Sequence, residues 1–349
     1  MNGRSATGDI MKLSDRKARI LQAVIDDYIK DAQPVSSKSL QDKHISDVSS
    51  ATIRSELATL EEMGYLIQPH VSAGRIPSAK AYRLYVEELM KDGTLTDEER
   101  QIIESHLISK VGEVEEIVRS TAKVISDVTN YTSVIVLKNI GQVMIRKIKL
   151  VDLVDGDVLL VIITDCGVLK ETVRVGVNTE DSYLDVATGI LNNIFAGRKL
   201  DEIKKDKDST DAELFKFKEL IAGVISALDK YSRDNSRVYL EGEHKIFDYP
   251  EYNDIDRAKN FLSVIDTKEE LLNVVNDDNQ IEFSVKIDKD ETGDGISDCS
   301  IVTAKYSIKG KEIGQAGVIG PTRMNYDKVF AVLEYISKML NGIDNDDNK

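Results

Sequence analysis

A predicted helix between Val48 and Gly64 has an outward face made of small polar side chains. Ile53, Leu57 and Leu60 share its apolar face, because residues three and four apart lie on one side of a helix. A helix that only meets solvent is expected to carry Lys and Glu, whereas short hydroxyl and methyl groups let a helix approach base edges closely. Its first serines can also donate to phosphate. These features predict DNA contacts from Ser49, Ser50, Ala51, Thr52, Arg54, Ser55 and Thr59.

A small hairpin is predicted directly after this helix. Gly64 suits the left-handed end of a helix, and residues 65–69 have the pattern of a short apolar strand. The residues that follow are small and include one arginine. Glycine lets a backbone come close to a ligand, and arginine is attracted to narrow DNA grooves. We therefore predict that the hairpin contacts a minor groove or a phosphate through His70, Ser72, Gly74 and Arg75.

Two more helices are predicted before this segment. The first begins after the N-cap candidate Ser14, ends before Pro34 and carries one apolar stripe, made of Ile20, Leu21, Val24, Ile25, Tyr28 and Ile29. A short serine-capped helix follows at 36–44. This order is typical of a winged helix-turn-helix, which places one helix in a DNA groove. Two alternatives remain open, an ordinary three-helix bundle and a solvated loop position for Arg75.

The charge of the chain is distributed unevenly. Residues 1–92 contain 13 Lys or Arg and 13 Asp or Glu, so the whole net charge of −15 lies beyond Asp92. An acidic remainder should repel DNA and improve discrimination, but a neutral DNA-binding unit is a weak electrostatic binder. We therefore expect modest affinity per monomer, which a homodimer on two half-sites would raise.

Cysteine usage and hydropathy predict a cytoplasmic protein that does not enter a membrane. Cys166 and Cys299 are the only cysteines and lie far apart in sequence, which favours neither a disulfide framework nor a zinc site. The longest apolar run, residues 158–163, is too short to cross a bilayer and is predicted to be a buried strand.

No pattern in the sequence favours an enzyme, a cofactor or a metal. Gly314, Gly317 and Gly320 precede a helix but match no phosphate-binding loop, so a tight strand-to-helix turn with Pro321 is predicted. The acidic run 288–294 begins like a calcium loop, but Cys299 stands where a bidentate Glu is required. The four histidines are scattered singly. We predict no catalytic residue, no cofactor and no metal site.

The remaining chain is predicted to be an antiparallel-sheet domain with an insertion. Strand patterns lie at 133–138, 145–153, 157–164, 168–175, 281–287, 300–308 and 312–319, before a final amphipathic helix. Residues 181–276 are mostly helical in pattern, which splits the sheet domain into 96–180 and 277–342. The sheet domain is preceded by a disordered extension at 1–11 and the DNA-binding domain at 12–92, and it is followed by an acidic tail at 343–349. The fold class is α+β and multidomain.

One stripe in the insertion alternates spacings of three and four residues, as an interhelical seam does. It is predicted to be either a dimer contact or the core of the insertion itself, and its members are Leu214, Phe217, Ile221, Val224 and Leu228.

Two separated strings carry a resemblance to a known family. The run 72–78, Ser-Ala-Gly-Arg-Ile-Pro-Ser, lies between Gly64-Tyr65-Leu66 and Tyr82-Arg83-Leu84-Tyr85-Val86, and a second string spans Gly314–Tyr326. In this order they resemble the bacterial heat-inducible transcription repressor HrcA family. The resemblance extends from about Leu13 to Gly342 and is weak in the middle.

The resemblance implies a fold and a function. It implies an N-terminal winged helix-turn-helix, a split GAF-like antiparallel-sheet domain and a mostly helical inserted dimerising domain. A homodimer would bind an inverted-repeat operator in double-stranded DNA, repress chaperone operons under heat-shock control, and depend on the chaperonin GroEL for activity. Two other functions stay open, a winged-helix repressor controlled by a small molecule in the GAF-like domain and an enzyme with a DNA-binding head.

Overall fold

The computed structural model describes residues 13–90, 93–107, 114–137, 143–153, 156–165, 168–175, 181–199, 202–203, 217, 220–226, 237–267, 271–272, 275, 283–288, 297–308 and 310–342. The predicted extension at 1–11, the acidic tail at 343–349 and Cys166 lie outside the described residues. Most of the calcium-like run 288–294 lies outside them as well.

The N-terminal unit, called the head and comprising residues 13–89, combines short helices with one hairpin. Its elements are α1 Asp15–Asp31, α2 Ser37–Lys43, α3 Ser50–Glu62, β1 Leu66–Ile67, β2 Ile76–Pro77 and α4 Ala79–Leu84, which continues into a π-helical turn, Tyr85–Leu89. The predicted stripe of α1 faces the core, with Ile20 and Leu21 fully buried. Ala32, with a φ of 52°, ends α1 two residues before Pro34. Ser36 caps α2 by accepting a hydrogen bond from the Ser39 N–H at 3.1 Å, which confirms the predicted serine cap.

The rest of the chain is mixed α/β with antiparallel sheets, here called the body. Its helices are α5 Asp97–Leu107, α6 Val114–Thr129, α7 Asp181–Phe195, α8 Ile255–Asp266 and α9 Tyr326–Gly342. Its strands are β3 Thr132–Leu137, β4 Ile145–Asp152, β5 Asp157–Thr164, β6 Val168–Arg174, β7 Arg237–Glu241, β8 Phe283–Ile287, β9 Cys299–Ile308 and β10 Lys311–Pro321.

Within the described residues, five strands form one antiparallel sheet in the order β7-β3-β10-β9-β8. Strand β3 is buried throughout, because both faces of the sheet are covered. Ile135 and Leu137 pack on the side of α6 and α9, whereas Val134 and Val136 pack on the side of α8 with Phe261.

The structure corrects the predicted organisation of the sheets at two places. Strands β4, β5 and β6 form a separate antiparallel sheet covered by α7, whereas the predicted sheet domain grouped them with β3. Within the range predicted to be mostly helical, 237–241 is the strand β7, paired with β3. The run 158–163 does lie in a strand, β5, as predicted, with Val158, Leu160 and Ile162 buried and the residues between them half-buried.

The glycine string ends in a strand-to-helix turn, as predicted. Gly314 and Gly317 lie in the predicted strand, which as β10 extends through Gly320 to Pro321, and the chain turns after Pro321 to enter α9. No helix in the described part of the chain combines the length and apolar character needed to cross a membrane.

Candidate nucleic-acid interface

Local hydrogen bonds fix both ends of α3. At its beginning, the Ser49 side chain accepts a hydrogen bond from the Thr52 backbone N–H at 3.2 Å. At its end, Gly64 has a φ of +79°, and the N–H groups of Gly64 and the next residue donate to carbonyls of the last turn, each at 2.9 Å. This pair of bonds is a Schellman motif, which favours glycine at the left-handed position. The predicted conformation of Gly64 is confirmed.

The face of α3 that points away from the core is open to solvent. Arg54 is exposed and has no ion pair among the described residues, so it presents a full positive charge on this face. Hydroxyls of this face also bond within the head: Ser50 Oγ donates to Ser37 Oγ and Thr59 Oγ1 to the Ser55 carbonyl, both at 3.2 Å, and the Ser49 and Thr52 hydroxyls bond each other at 2.9 Å. The predicted contact residues are exposed at Ser49, Ala51, Arg54 and Ser55 and half-buried at Ser50, Thr52 and Thr59.

A buried acid that the sequence analysis did not single out ties α3 to α1. Glu56 is only 8% exposed and lies on the core side of α3. Its carboxylate accepts a hydrogen bond from Arg16 Nε at 2.8 Å and pairs with Lys17 Nζ at 3.0 Å. The hydrogen bond from Lys17 and that from Arg16 lower the pKa of Glu56, although burial opposes them. Glu56 therefore fixes the rotation of α3 about its axis relative to α1.

Several other cations of the head are engaged with acids. Arg19 makes two bonds to Asp47, at 2.7 and 3.0 Å, and Lys43 lies 3.7 Å from Asp27. These pairs explain why the head carries little free positive charge. Lys38, in the first turn of α2, is exposed and has no ion pair within the described ranges.

The Gly74-Arg75 pair forms the root of the hairpin, residues 66–77. Arg75 Nη2 bonds to Glu61 at 2.8 Å, its side chain is 17% exposed, and its backbone exchanges hydrogen bonds with Val35 at 2.8 and 2.9 Å. A Cβ on Gly74 would lie 2.4 Å from the Val35 carbonyl oxygen. The glycine therefore permits a close backbone approach inside the head, and the arginine holds the hairpin against the last turn of α3.

The hairpin tip, residues 69–73, projects from this root as an ordered turn. Gln68 Nε2 donates to the carbonyls of Val71 and Ala73, both at 3.0 Å, and the Ala73 N–H donates to the His70 carbonyl at 2.9 Å. His70 and Ser72 are exposed, as a contact role requires. Val71, which the sequence analysis passed over, is 98% exposed.

A family model and two relatives that match this chain carry the same description. The family model described as the HrcA protein C-terminal domain matches residues 115–330. The heat-inducible transcription repressor HrcA of Ruminiclostridium cellulolyticum is 38% identical over 341 residues, which are 95% of this chain and 97% of that protein. The repressor of the same name from Clostridium tetani is 39% identical over 97% of this chain and 98% of its own length. The chain belongs to the HrcA family.

The HrcA relatives are named as transcription repressors, which are not a class of enzymes. A crystal structure of a hypothetical protein has a TM-score of 0.70 to this chain at 22% identity, and the match covers 95% of this chain and 98% of the other. This likeness shows that the two chains share a fold.

The second string that carried the HrcA resemblance joins the body to the head. Arg323, in the turn between β10 and α9, bonds to both carboxylate oxygens of Glu251 and donates from Nη1 to the Ile29 carbonyl at 2.9 Å. Its guanidinium also lies over the ring of Tyr249, 5.5 Å from the centroid. One side chain of the body thereby holds the last turn of α1.

Two residues near the end of the head reinforce this contact between the head and the body. The Tyr85 hydroxyl lies 3.3 Å from an oxygen of Asp26 in α1 and 3.2 Å from one of Asp327 in α9. Burial, followed by these two carboxylates, raises the pKa of Tyr85 far above its ordinary value. Arg83 donates to the Ile287 carbonyl of β8 at 2.8 Å.

A cavity of about 190 Å³ lies beside the contact between the head and the body. It is bounded by β8 and by the segment formed by α4 and the π-helical turn. It is lined by residues that include Arg83, Glu87, Lys286 and Asp288. Ligand pockets usually measure about 300 to 1,000 Å³, so this cavity is small for an effector molecule.

The described members of the predicted seam are buried within the HrcA-family chain itself. Phe217 is 7% exposed and stacks on Tyr183 of α7 with ring centroids 5.1 Å apart, and Val224 is 1% exposed. Ile221 is half-buried against the sheet formed by β4, β5 and β6. Leu214 and Leu228 lie outside the described residues. This packing corresponds to the alternative of a core helix and leaves little of these side chains for a second subunit.

The described residues contain no group of three or more His, Cys, Asp or Glu side chains that could hold a metal ion. Cys299 is buried, and its sulfur lies 3.0 Å from the Tyr252 hydroxyl. Burial raises the pKa of the Cys299 thiol to about 12, so it is a poor nucleophile at neutral pH.

Proposed function

We propose that this HrcA-family chain is a repressor of chaperone operons whose head is a winged helix-turn-helix. In this proposal α3 enters the major groove of an inverted-repeat operator, and the hairpin acts as the wing. The observation that carries the proposal is the geometry of α3, a helix fixed at both ends whose open face is small, polar and bears the unpaired Arg54.

Binding as a homodimer follows from the charge of the head. The ion pairs Arg19–Asp47 and Lys43–Asp27 neutralise positive charges of the head. We therefore expect one head to make few phosphate contacts. In a dimer, binding of one head to its half-site raises the effective concentration of the second head at the other half-site. A two-fold symmetric dimer also matches an inverted repeat, with half-site centres about 34 Å apart or a multiple of that distance.

Dependence on the chaperonin GroEL is proposed from the family alone. A repressor that loses its active fold when the chaperonin is occupied by heat-damaged proteins would release its operons. Folded proteins are stable by only about 5 to 15 kcal/mol, so a small shift in folding changes the active fraction strongly.

The first experiment compares Arg54→Ala with Arg146→Ala on a labelled duplex that carries the inverted repeat upstream of a chaperone operon. Arg146 is an exposed arginine of β4 and matches Arg54 in type and exposure. We expect Arg54→Ala to weaken binding by about 1 to 3 kcal/mol and Arg146→Ala to leave it unchanged. Equal effects, or no binding by the wild type, would refute the proposed interface.

The second experiment repeats the titration after heat treatment, with and without GroEL and ATP. We expect GroEL to restore operator binding. If the heated protein recovers equally without GroEL, the chaperonin part of the proposal fails, whereas the DNA-binding part stands on the first experiment.

A further inference from the structure

The hairpin tip combines an ordered backbone with an unprotected apolar side chain. Val71 is 98% exposed, and no other large apolar side chain among the described residues is more than 69% exposed. The side chain therefore has no packing role among the residues that the structure describes. Its backbone is nevertheless fixed, because Gln68 donates to the carbonyls of Val71 and Ala73.

The root of the hairpin limits how far the tip can turn. Arg75 binds Glu61 of α3 and pairs through its backbone with Val35, so the root is attached on two sides. Gly74 has no side chain, so the backbone of Val35 packs directly against the backbone of the hairpin. The tip is thus presented at a fixed position relative to α3.

The charge of the hairpin argues against a phosphate contact at the tip. Arg75 is the one Lys or Arg between residues 66 and 77, and its guanidinium is turned back to Glu61. What remains at the tip is Pro69, His70, Val71 and Ser72, a set without Lys or Arg. Apolar side chains are used by minor-groove proteins to contact the groove and to insert at base steps.

We propose that the hairpin tip enters the minor groove next to each half-site and that Val71 makes an apolar contact there. This inference rests on the DNA binding proposed above and gives the contact to Val71 instead of Arg75. The floor of the minor groove is free of the guanine amino group at A·T pairs. Val71 therefore confers a preference for A·T pairs at the position of the tip.

The test measures the affinity of the full-length chain for the inverted-repeat duplex by fluorescence anisotropy at several salt concentrations. We expect Val71→Ala to weaken binding about three- to tenfold without changing the salt slope, and Val71→Asp to weaken it further by repulsion from phosphate. The matched control is Val186→Ala, since Val186 on α7 is 57% exposed. It should bind as the wild type does.

Base substitutions then locate the contact. An I·C pair presents the minor groove of A·T and the major groove of G·C. At the tip position, A·T→G·C should weaken binding by the wild type, A·T→I·C should not, and Val71→Ala should remove the difference.

Each outcome bears on one proposal. An unchanged affinity for both Val71 variants, a change in the salt slope for Val71→Ala, or equal losses with I·C and G·C would overturn the inference about Val71. Failure of the wild type to bind the duplex would instead refute the proposed function.

Discussion

Arg323 donates a hydrogen bond from Nη1 to the backbone oxygen of Ile29, 2.9 Å away, and so joins the turn after β10 to the last turn of α1. The last carbonyls of a helix have no partner within the helix, and Arg323 supplies one. Because Glu251 holds the same guanidinium, the head is attached to the body through a paired, largely buried charge.

Replacing Arg323 by Met should lower the free energy of unfolding by about 3 kcal/mol, because Glu251 is left without its partner. The loss should separate the melting of the head from that of the body in a calorimetric scan. Arg257→Met is the control, since Arg257 pairs with Asp298 at 3.4 Å on the surface. Comparable losses in the two variants would argue against a special role for Arg323.

Glu56→Gln should destabilise the protein at neutral pH by about 1 kcal/mol, since the pairs with Arg16 and Lys17 are partly exposed to solvent. The pKa of Glu56 is lowered in the folded state, so its contribution is present above the unfolded pKa and is lost as pH falls through the folded value. Denaturant unfolding at neutral and acid pH measures this. The difference between wild type and variant should shrink in acid.

The control for that series is Glu62→Gln, because Glu62 is exposed on α3 and has no ion pair among the described residues. If Glu56→Gln behaves as Glu62→Gln does, or keeps its full effect in acid, Glu56 does not fix α3.

Gly74→Ala should weaken operator binding by displacing the hairpin, because the added methyl group would meet the backbone of residues 34 and 35 inside the head. The new Cβ would lie 2.4 Å from the Val35 oxygen, so the hairpin must move, at a cost of about 1 to 3 kcal/mol. The matched change is Gly189→Ala in α7, where the added Cβ meets nothing within 4 Å and should stabilise the helix slightly. Thermal unfolding and DNA titration compare the stability and the operator affinity of the two variants. If Gly74→Ala keeps the stability and the affinity of the wild type, the hairpin root does not depend on close approach at Gly74.

The Cys299 thiol should resist alkylation in the folded protein. Its burial and raised pKa, about 12, leave almost no thiolate at neutral pH. Peptide mapping after iodoacetamide treatment should find Cys299 unlabelled in native protein and labelled in denaturant. Rapid labelling of the native protein would show that this part of the body opens readily.

Local features of the head could be predicted from the sequence. The cap at Ser36 and the left-handed Gly64 depend on residues within four positions, so their sequence patterns suffice, whereas the candidate Ser14 precedes α1 but makes no side-chain capping bond. The buried face of α3 follows from spacing alone.

Features that depend on distant partners could not be predicted. The orientation of Arg75 is set by Glu61 and Val35, and the burial of Glu56 is compensated by Arg16, 40 positions away. Strand β7 has five residues and pairs with a strand about a hundred positions earlier, so its short pattern gave no clear signal.

The most direct test of the central claim is the affinity of the full-length chain for an intact inverted repeat and for the same duplex with five base pairs inserted between its half-sites. Five base pairs rotate the half-sites to opposite sides of the helix, since a turn takes about 10 to 10.5 base pairs. The account predicts tight binding to the intact repeat and a loss of about tenfold or more with the insertion. Equal binding to both duplexes and to unrelated DNA would contradict it.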